Sequence, residues 1–141
     1  MSENKILTAT KEIDVRFSEV DSMAIVWHGS YVLYFEDARE SFGLKYGLDY
    51  LTIFGNGYYA PLVDMHFEFK SPLIYGKKAV IEIAYRPCSA AKIQFDYKIF
   101  GAEHNELIAT GYTTQVFLDK EYKLALYNPD FYEQWKKKMD V

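Results

Sequence analysis

The chain has 141 residues, a single cysteine and a formal charge of −4 from 20 acidic and 16 basic side chains, and half of it is apolar, with 13 Tyr and 10 Phe. That length buries a core without disulfide staples, and a chain this apolar is expected to fold, as one domain over residues 1–141. Basic side chains cluster only at Lys136, Lys137 and Lys138, which offers no face to a nucleic acid, and neither a membrane span nor a signal-peptide core is present, so a cytoplasmic location is expected.

Glu12 to Phe17 alternates, with Ile13, Val15 and Phe17 on one side and Glu12, Asp14 and Arg16 on the other, and predicts a half-buried first strand. Tyr31, Tyr34, Phe35, Ala38 and Phe42 then fall at helical spacing. The helix they predict starts at Ser30, whose hydroxyl can cap an orphan amide, and stops at Gly47, which accepts a left-handed backbone. Its first turn, YVLYF, is apolar almost all round and needs to be wrapped, as a sheet folded round the helix would do.

The second half supplies that sheet. Leu62 to Lys70 places Val63, Met65, Phe67 and Phe69 opposite Asp64, His66, Glu68 and Lys70, before Pro72 and Gly76 break the run. Ala79 to Tyr85 and Ile93 to Phe100 predict two more strands, and a turn over Gly101 to Asn105 leads into a long strand from Glu106 to Leu118. These four strands can pair as an antiparallel meander, which makes the class α+β. Near the end, Asn128 as cap, Pro129 in the first turn, acids early and lysines late predict a short C-terminal helix.

His28, His66 and His104 have no metal-ligand spacing, and Cys88 adds no partner, so no metal is expected. Nucleophile elbow, P-loop and dinucleotide fingerprints are missing. Asp21 ahead of the helix is different, because a helix N-terminus presents free N–H groups and positive potential to a carbonyl. An Asp before a helix is also ordinary loop and capping chemistry, and spacing alone favours that reading.

The residues also resemble a family. VRFSEVDSMAIVWHGSYVLYFEDAR, residues 15 to 39, is similar to the signature of the hotdog-fold acyl-CoA thioesterases of the 4-hydroxybenzoyl-CoA thioesterase and YbgC-like type. FEFKSPLIYG, residues 67 to 76, and ATGYTTQVFLD, residues 109 to 119, continue the match. The resemblance implies the hotdog fold, an antiparallel sheet wrapped round a long central helix with a short C-terminal helix. It implies an acyl-CoA thioesterase without cofactor, in which Asp21 is the catalytic carboxylate, as nucleophile or as general base. The His28 backbone N–H would polarise the thioester carbonyl, with its side chain orienting substrate or water. Tyr31 would line the pocket or belong to the core, and Glu36 and Arg39 would make structural or interface contacts. A homodimer or homotetramer is implied, with Tyr59 and Ala60, from the segment Gly57 to Pro61, forming an acyl pocket for the neighbouring subunit. Arg86 and Lys92 are the nearest candidates for the CoA phosphates.

The chain departs from the pattern at Ala24, where Gly is usual, at Ser30, where Asn is usual, and at Lys77, where Asp is common. Alternatives to acyl-CoA hydrolysis are hydrolysis of acyl carrier protein thioesters, for which this acidic chain offers no basic patch, and a non-catalytic acyl-CoA-binding module, which would not need Asp21.

Overall fold

The computed structural model describes residues 6–102 and 106–141. The first strand, β1 (Thr8–Asp14), starts four residues earlier than its alternation predicts and buries Ala9 and Ile13. Phe17 does not continue it: a 3-10 turn at Phe17–Glu19 reverses the chain and leaves Phe17 78% exposed, so the expected inward side ends at Val15.

Helix α1 (Ser30–Tyr46) follows the prediction closely, and its five expected inward residues, Tyr31, Tyr34, Phe35, Ala38 and Phe42, are all buried. Gly47 ends it in the left-handed region at φ 77°, its N–H donating to Gly43 O at 2.8 Å. Its start differs, because Gly29 holds the cap position and Ser30 is already helical, with its hydroxyl donating to Glu19 O at 3.4 Å. The sheet covers only part of the first turn, and Leu33 stays 58% exposed.

Two short elements come next, α2 (Tyr50–Gly55) and β2 (Tyr58–Tyr59), followed by β3 (Leu62–Phe69), β4 (Lys78–Arg86), β5 (Lys92–Gly101), β6 (Leu107–Val116), β7 (Leu118–Asp119) and α3 (Asp130–Met139). The predicted last strand is therefore interrupted: Phe117, fully buried, separates β6 from β7, which pairs with β2 instead. The turn before β6 is closed by Gly101 N–H on Glu106 O at 2.8 Å, while residues 103–105, with His104, lie outside the described residues.

All pairings in the main sheet are antiparallel, in the order β1-β4-β5-β6-β3. Only β4, β5 and β6 form a meander. The first of the four predicted strands, β3, crosses to the far side of β6, with Phe69 opposite Ala109 and Leu62 opposite Gln115, and forms an edge. Its alternation is also less regular than predicted, since a bulge at Val63 and the free edge leave Val63 60% and Phe69 52% exposed.

The sheet curls round α1. Ile81, Ile83 and Ile99 are fully buried, each contributing about 1.5–3 kcal/mol of apolar burial. Phe35 stacks on Tyr97 at 4.3 Å between centroids, and Phe42 meets Phe95 edge to face at 4.8 Å. The helix can sit this close because position 111 of β6 is glycine: a Cβ there would fall 2.7 Å from the Phe35 ring and 2.5 Å from His66 O. Helix α3 closes the far end, with Tyr132 fully buried and the Trp135 indole N–H donating to Tyr46 O at 2.8 Å. Pro129 occupies its cap position, and Asn128 bonds the Glu133 carboxylate through its side chain.

Candidate active site

Residues 20 to 26 form a tight hairpin ahead of α1. Val20 and Val26 pair across it, Asp21 N–H donates to Ile25 O at 2.9 Å, and Ala24 N–H donates to Asp21 O at 3.0 Å. Closing so short a loop puts Ala24 at φ 61°, the left-handed conformation that glycine adopts freely and alanine does not. The Asp21 carboxylate serves this turn too: Oδ1 accepts Met23 N–H at 2.8 Å and Ile25 N–H at 3.4 Å. Both bonds fall on the same oxygen, and the side chain remains exposed.

Glu19 ties this loop to the helix. Its carbonyl accepts Trp27 N–H at 2.8 Å and the Ser30 hydroxyl, and its carboxylate accepts Arg16 N–H at 2.7 Å and the Tyr34 hydroxyl at 2.9 Å. Burial and this bond to Glu19 push the Tyr34 phenol well above its usual range. On the other side, Val26 N–H donates to Leu73 O at 2.8 Å and Tyr75 N–H to Ala24 O at 3.0 Å, which anchors the hairpin to the β3–β4 connection.

At the helix entry, Ser30 N–H bonds Trp27 O at 2.9 Å and Tyr31 N–H bonds His28 O at 3.3 Å. The His28 and Gly29 N–H groups donate to no backbone carbonyl among the described residues, and they sit at the positive end of the helix dipole. The Trp27 ring lies over Gly29 in the space where a Cβ would project. It packs against the His28 ring at 4.8 Å between centroids.

Asp21, His28 and Tyr31 thus line one open cavity of about 400 Å³, closed on the other side by Phe69, Lys70 and Pro72. Tyr31 is both pocket and core: it is 3% exposed, and its ring meets Phe69 edge to face at 4.9 Å. Burial raises its phenol pKa, partly offset by a backbone hydrogen bond at Leu73. An exposed carboxylate and the entry of α1 thus border one cavity.

The remaining sequence-predicted residues lie elsewhere in the chain. Tyr59 and Ala60 line a second cavity, of about 560 Å³, between α1, α2 and the start of β3, together with Glu36, Arg39 and Gln115. Glu36 and Arg39 pair with each other at 2.8 Å. Arg86 and Lys92 line neither cavity; Arg86 pairs with Asp96 and lies over the Tyr112 ring at 5.6 Å. Glu19 and Gln115 are not singled out by the sequence. For Gln115 a signal existed, an amide at the inward phase of a strand that continues Thr113 and leads to Phe117.

Among the described residues no group of His, Cys, Asp and Glu could hold a metal ion, and no helix is long and apolar enough to cross a membrane.

An antiparallel sheet curled round one long helix is the hotdog architecture. The chain belongs to the Thioesterase-like superfamily, whose sequence profile matches residues 15–135. It is 32% identical over 111 residues to YneP of Bacillus subtilis, a candidate acyl-CoA thioesterase by name, covering 79% of this chain and 80% of that one. It is 30% identical over 112 residues to the chloroplastic acyl-acyl carrier protein thioesterase ATL3 of Arabidopsis thaliana, covering 79% of this chain and 59% of the relative. Among solved structures, the DHNA-CoA thioesterase of Staphylococcus aureus superposes with a TM-score of 0.82 at 28% identity, covering 94% of this chain and 91% of that one.

Proposed function

We propose that the protein hydrolyses acyl-CoA thioesters to a free carboxylic acid and CoA, with Asp21 as the catalytic carboxylate. The observation that carries this reading is the shared cavity of Asp21, His28 and Tyr31 at the entry of α1. Asp21 either attacks the thioester carbonyl carbon, giving a mixed anhydride that water then hydrolyses, or takes the proton of a water that attacks that carbon. The His28 and Gly29 N–H groups face the developing oxyanion, and the sulfur leaves as the CoA thiol. The acyl-CoA names borne by YneP and the staphylococcal structure support CoA as the carrier.

The working unit in this reading is a homodimer. Strand β3 has a free edge and runs from the second cavity, at Leu62, to the first, at Phe69 and Lys70, a span of eight residues or roughly 25 Å. Two copies pairing these edges antiparallel bring the Asp21 cavity of one beside the Tyr59 and Ala60 cavity of the other. Reaction centre and acyl compartment then adjoin across the interface.

Release of free thiol from short, medium, branched and aromatic acyl-CoAs, and from an acyl carrier protein thioester, tests the assignment. Asp21→Asn is expected to lower kcat by about 10²–10⁴-fold, the usual range for a positioned acid–base group. His28→Ala is expected to lose under about tenfold, because the backbone N–H survives the substitution. Full activity in Asp21→Asn sinks the role given to Asp21, and faster turnover of the carrier-protein thioester replaces CoA as the carrier.

A further inference from the structure

Asp21 stands on the hairpin, whereas the His28 and Gly29 N–H groups stand at the entry of α1, and among the described residues no hydrogen bond joins Asp21 to residues 27–31. What fixes the gap between the carboxylate and those amides must therefore grip both elements. Glu19, two residues before Asp21, does so. Its N–H donates to Arg16 O at 3.0 Å and its carboxylate Oε1 accepts Arg16 N–H at 2.7 Å, which closes the 3-10 turn on itself. From that braced turn its carbonyl accepts Trp27 N–H at 2.8 Å and the Ser30 hydroxyl at 3.4 Å, so the two bonds bracket His28 and Gly29. The same Oε1 accepts the hydroxyl of Tyr34, one turn further along α1, at 2.9 Å. Tyr34 is 2% exposed and meets Tyr31 edge to face at 5.9 Å, so this anchor is fixed by packing.

These contacts also say what kind of work Glu19 does. It lines neither the Asp21 cavity nor the second one, which places it behind the site rather than in it. Both of its side-chain bonds fall on one oxygen, and that oxygen is an acceptor in a carboxylate and in a carboxamide alike. A brace needs only the acceptor; an acid, a base or an electrostatic partner of Asp21 needs the ionisable group.

We propose that Glu19 is a positioning residue for the hydrolysis: through Tyr34, Trp27 and Ser30 it sets the separation between the Asp21 carboxylate and the His28 and Gly29 N–H groups. This rests on the reading of Asp21 as the catalytic carboxylate. Without the brace the acyl-CoA still binds, but its carbonyl no longer meets carboxylate and amides together, and a displacement of about 1 Å costs about 10²-fold in rate. The loss therefore falls on kcat rather than on KM.

Thiol release by the full chain tests it, with kcat and KM separated and followed across pH, on whichever acyl-CoA the native protein turns over. Tyr34→Phe keeps the ring and removes the donor, and is expected to lower kcat by about 10- to 100-fold with KM within about threefold of native. Glu19→Ala is expected to fall at least as far. Glu19→Gln is expected to recover most of that loss with the pH profile of the native protein, because the carboxamide oxygen accepts both bonds. Adding Tyr34→Phe to Glu19→Ala is expected to cost nothing further, since the two changes break one bond. An unchanged kcat in Tyr34→Phe, beside an inactive Asp21→Asn, overturns the Glu19 assignment and leaves the thioesterase reading standing. So does a Glu19→Gln protein that is as slow as Glu19→Ala or has a displaced pH profile, since charge would then be what Glu19 supplies. No thiol release by the native protein, or full activity in Asp21→Asn, overturns both. Tyr34→Phe decides the matter even where Glu19→Ala fails to fold, because it leaves no buried hydroxyl without an acceptor.

Discussion

At the scale of single residues, the hairpin before α1 carries its cost at Ala24. An alanine at φ 61° sits about 1–2 kcal/mol above its right-handed alternatives, and the chain keeps it there because Ala24 N–H and Ala24 O both bond, to Asp21 and from Tyr75. Ala24→Gly removes that strain but loosens the unfolded chain, so the net expectation is a gain of about 0.5–1 kcal/mol, read as a higher urea midpoint at unchanged slope. A lower midpoint would show that the alanine methyl makes contacts outweighing the strain. Asp21 and His28 were legible only through the resemblance of residues 15 to 39 to a family signature, because spacing alone favours a capping role for Asp21. The surroundings were not, because Glu19 acts through bonds to Trp27, Ser30 and Tyr34 that only the reversal of the chain creates. Gln115 could be read only from its phase with Thr113 and Phe117, which the pairing of β6 turns inward.

At the scale of elements, local periodicity located α1, β4 and β5 because one or both of their faces are fully apolar and fully buried. It missed α2, whose Tyr50, Leu51 and Phe54 are exposed and leave no clear stripe, although its cap was legible: Asp49 accepts from Thr52 N–H at 3.3 Å and from the Thr52 hydroxyl at 2.7 Å. Periodicity could not say which strand β3 joins, since that pairing is long-range and either neighbour satisfies the alternation. The answer matters, because pairing with β6 is what makes β3 a free edge. Exposed edges with apolar residues associate, and a lysine on such an edge blocks association. Val63→Lys is therefore expected to convert a dimer into a monomer in analytical ultracentrifugation. Thiol release should fall with the dimer fraction, because each Asp21 loses the neighbouring acyl compartment. A native protein that is monomeric and active would remove the composite site.

At the scale of the whole molecule, the aromatic core makes folding a matter of keeping phenols neutral. Burial raises the pKa of Tyr31, Tyr34, Tyr85, Tyr97 and Tyr132, and Tyr97, held between Phe35 and the Thr113 hydroxyl at 2.8 Å, is pushed up to about 12. In the unfolded chain these groups ionise near pH 10, so above that pH the unfolded state has lost protons that the folded state still holds. Stability is then complete below pH 10 and falls as pH rises toward the folded-state values, by about 1.4 kcal/mol per pH unit for each such tyrosine. A modest total stability, about 5–15 kcal/mol for a domain, does not survive several of these terms acting together. Phenolate absorbance and far-ultraviolet circular dichroism, followed together with rising pH, are expected to change in one cooperative step for the buried set. Tyr97→Phe should be less stable by about 1 kcal/mol at neutral pH through loss of the Thr113 bond, and should decline less steeply between pH 10 and 12. Phenolate formation by the buried set while the dichroism stays native would mean that the core admits charge, and the link between its aromatic packing and alkaline unfolding would fail.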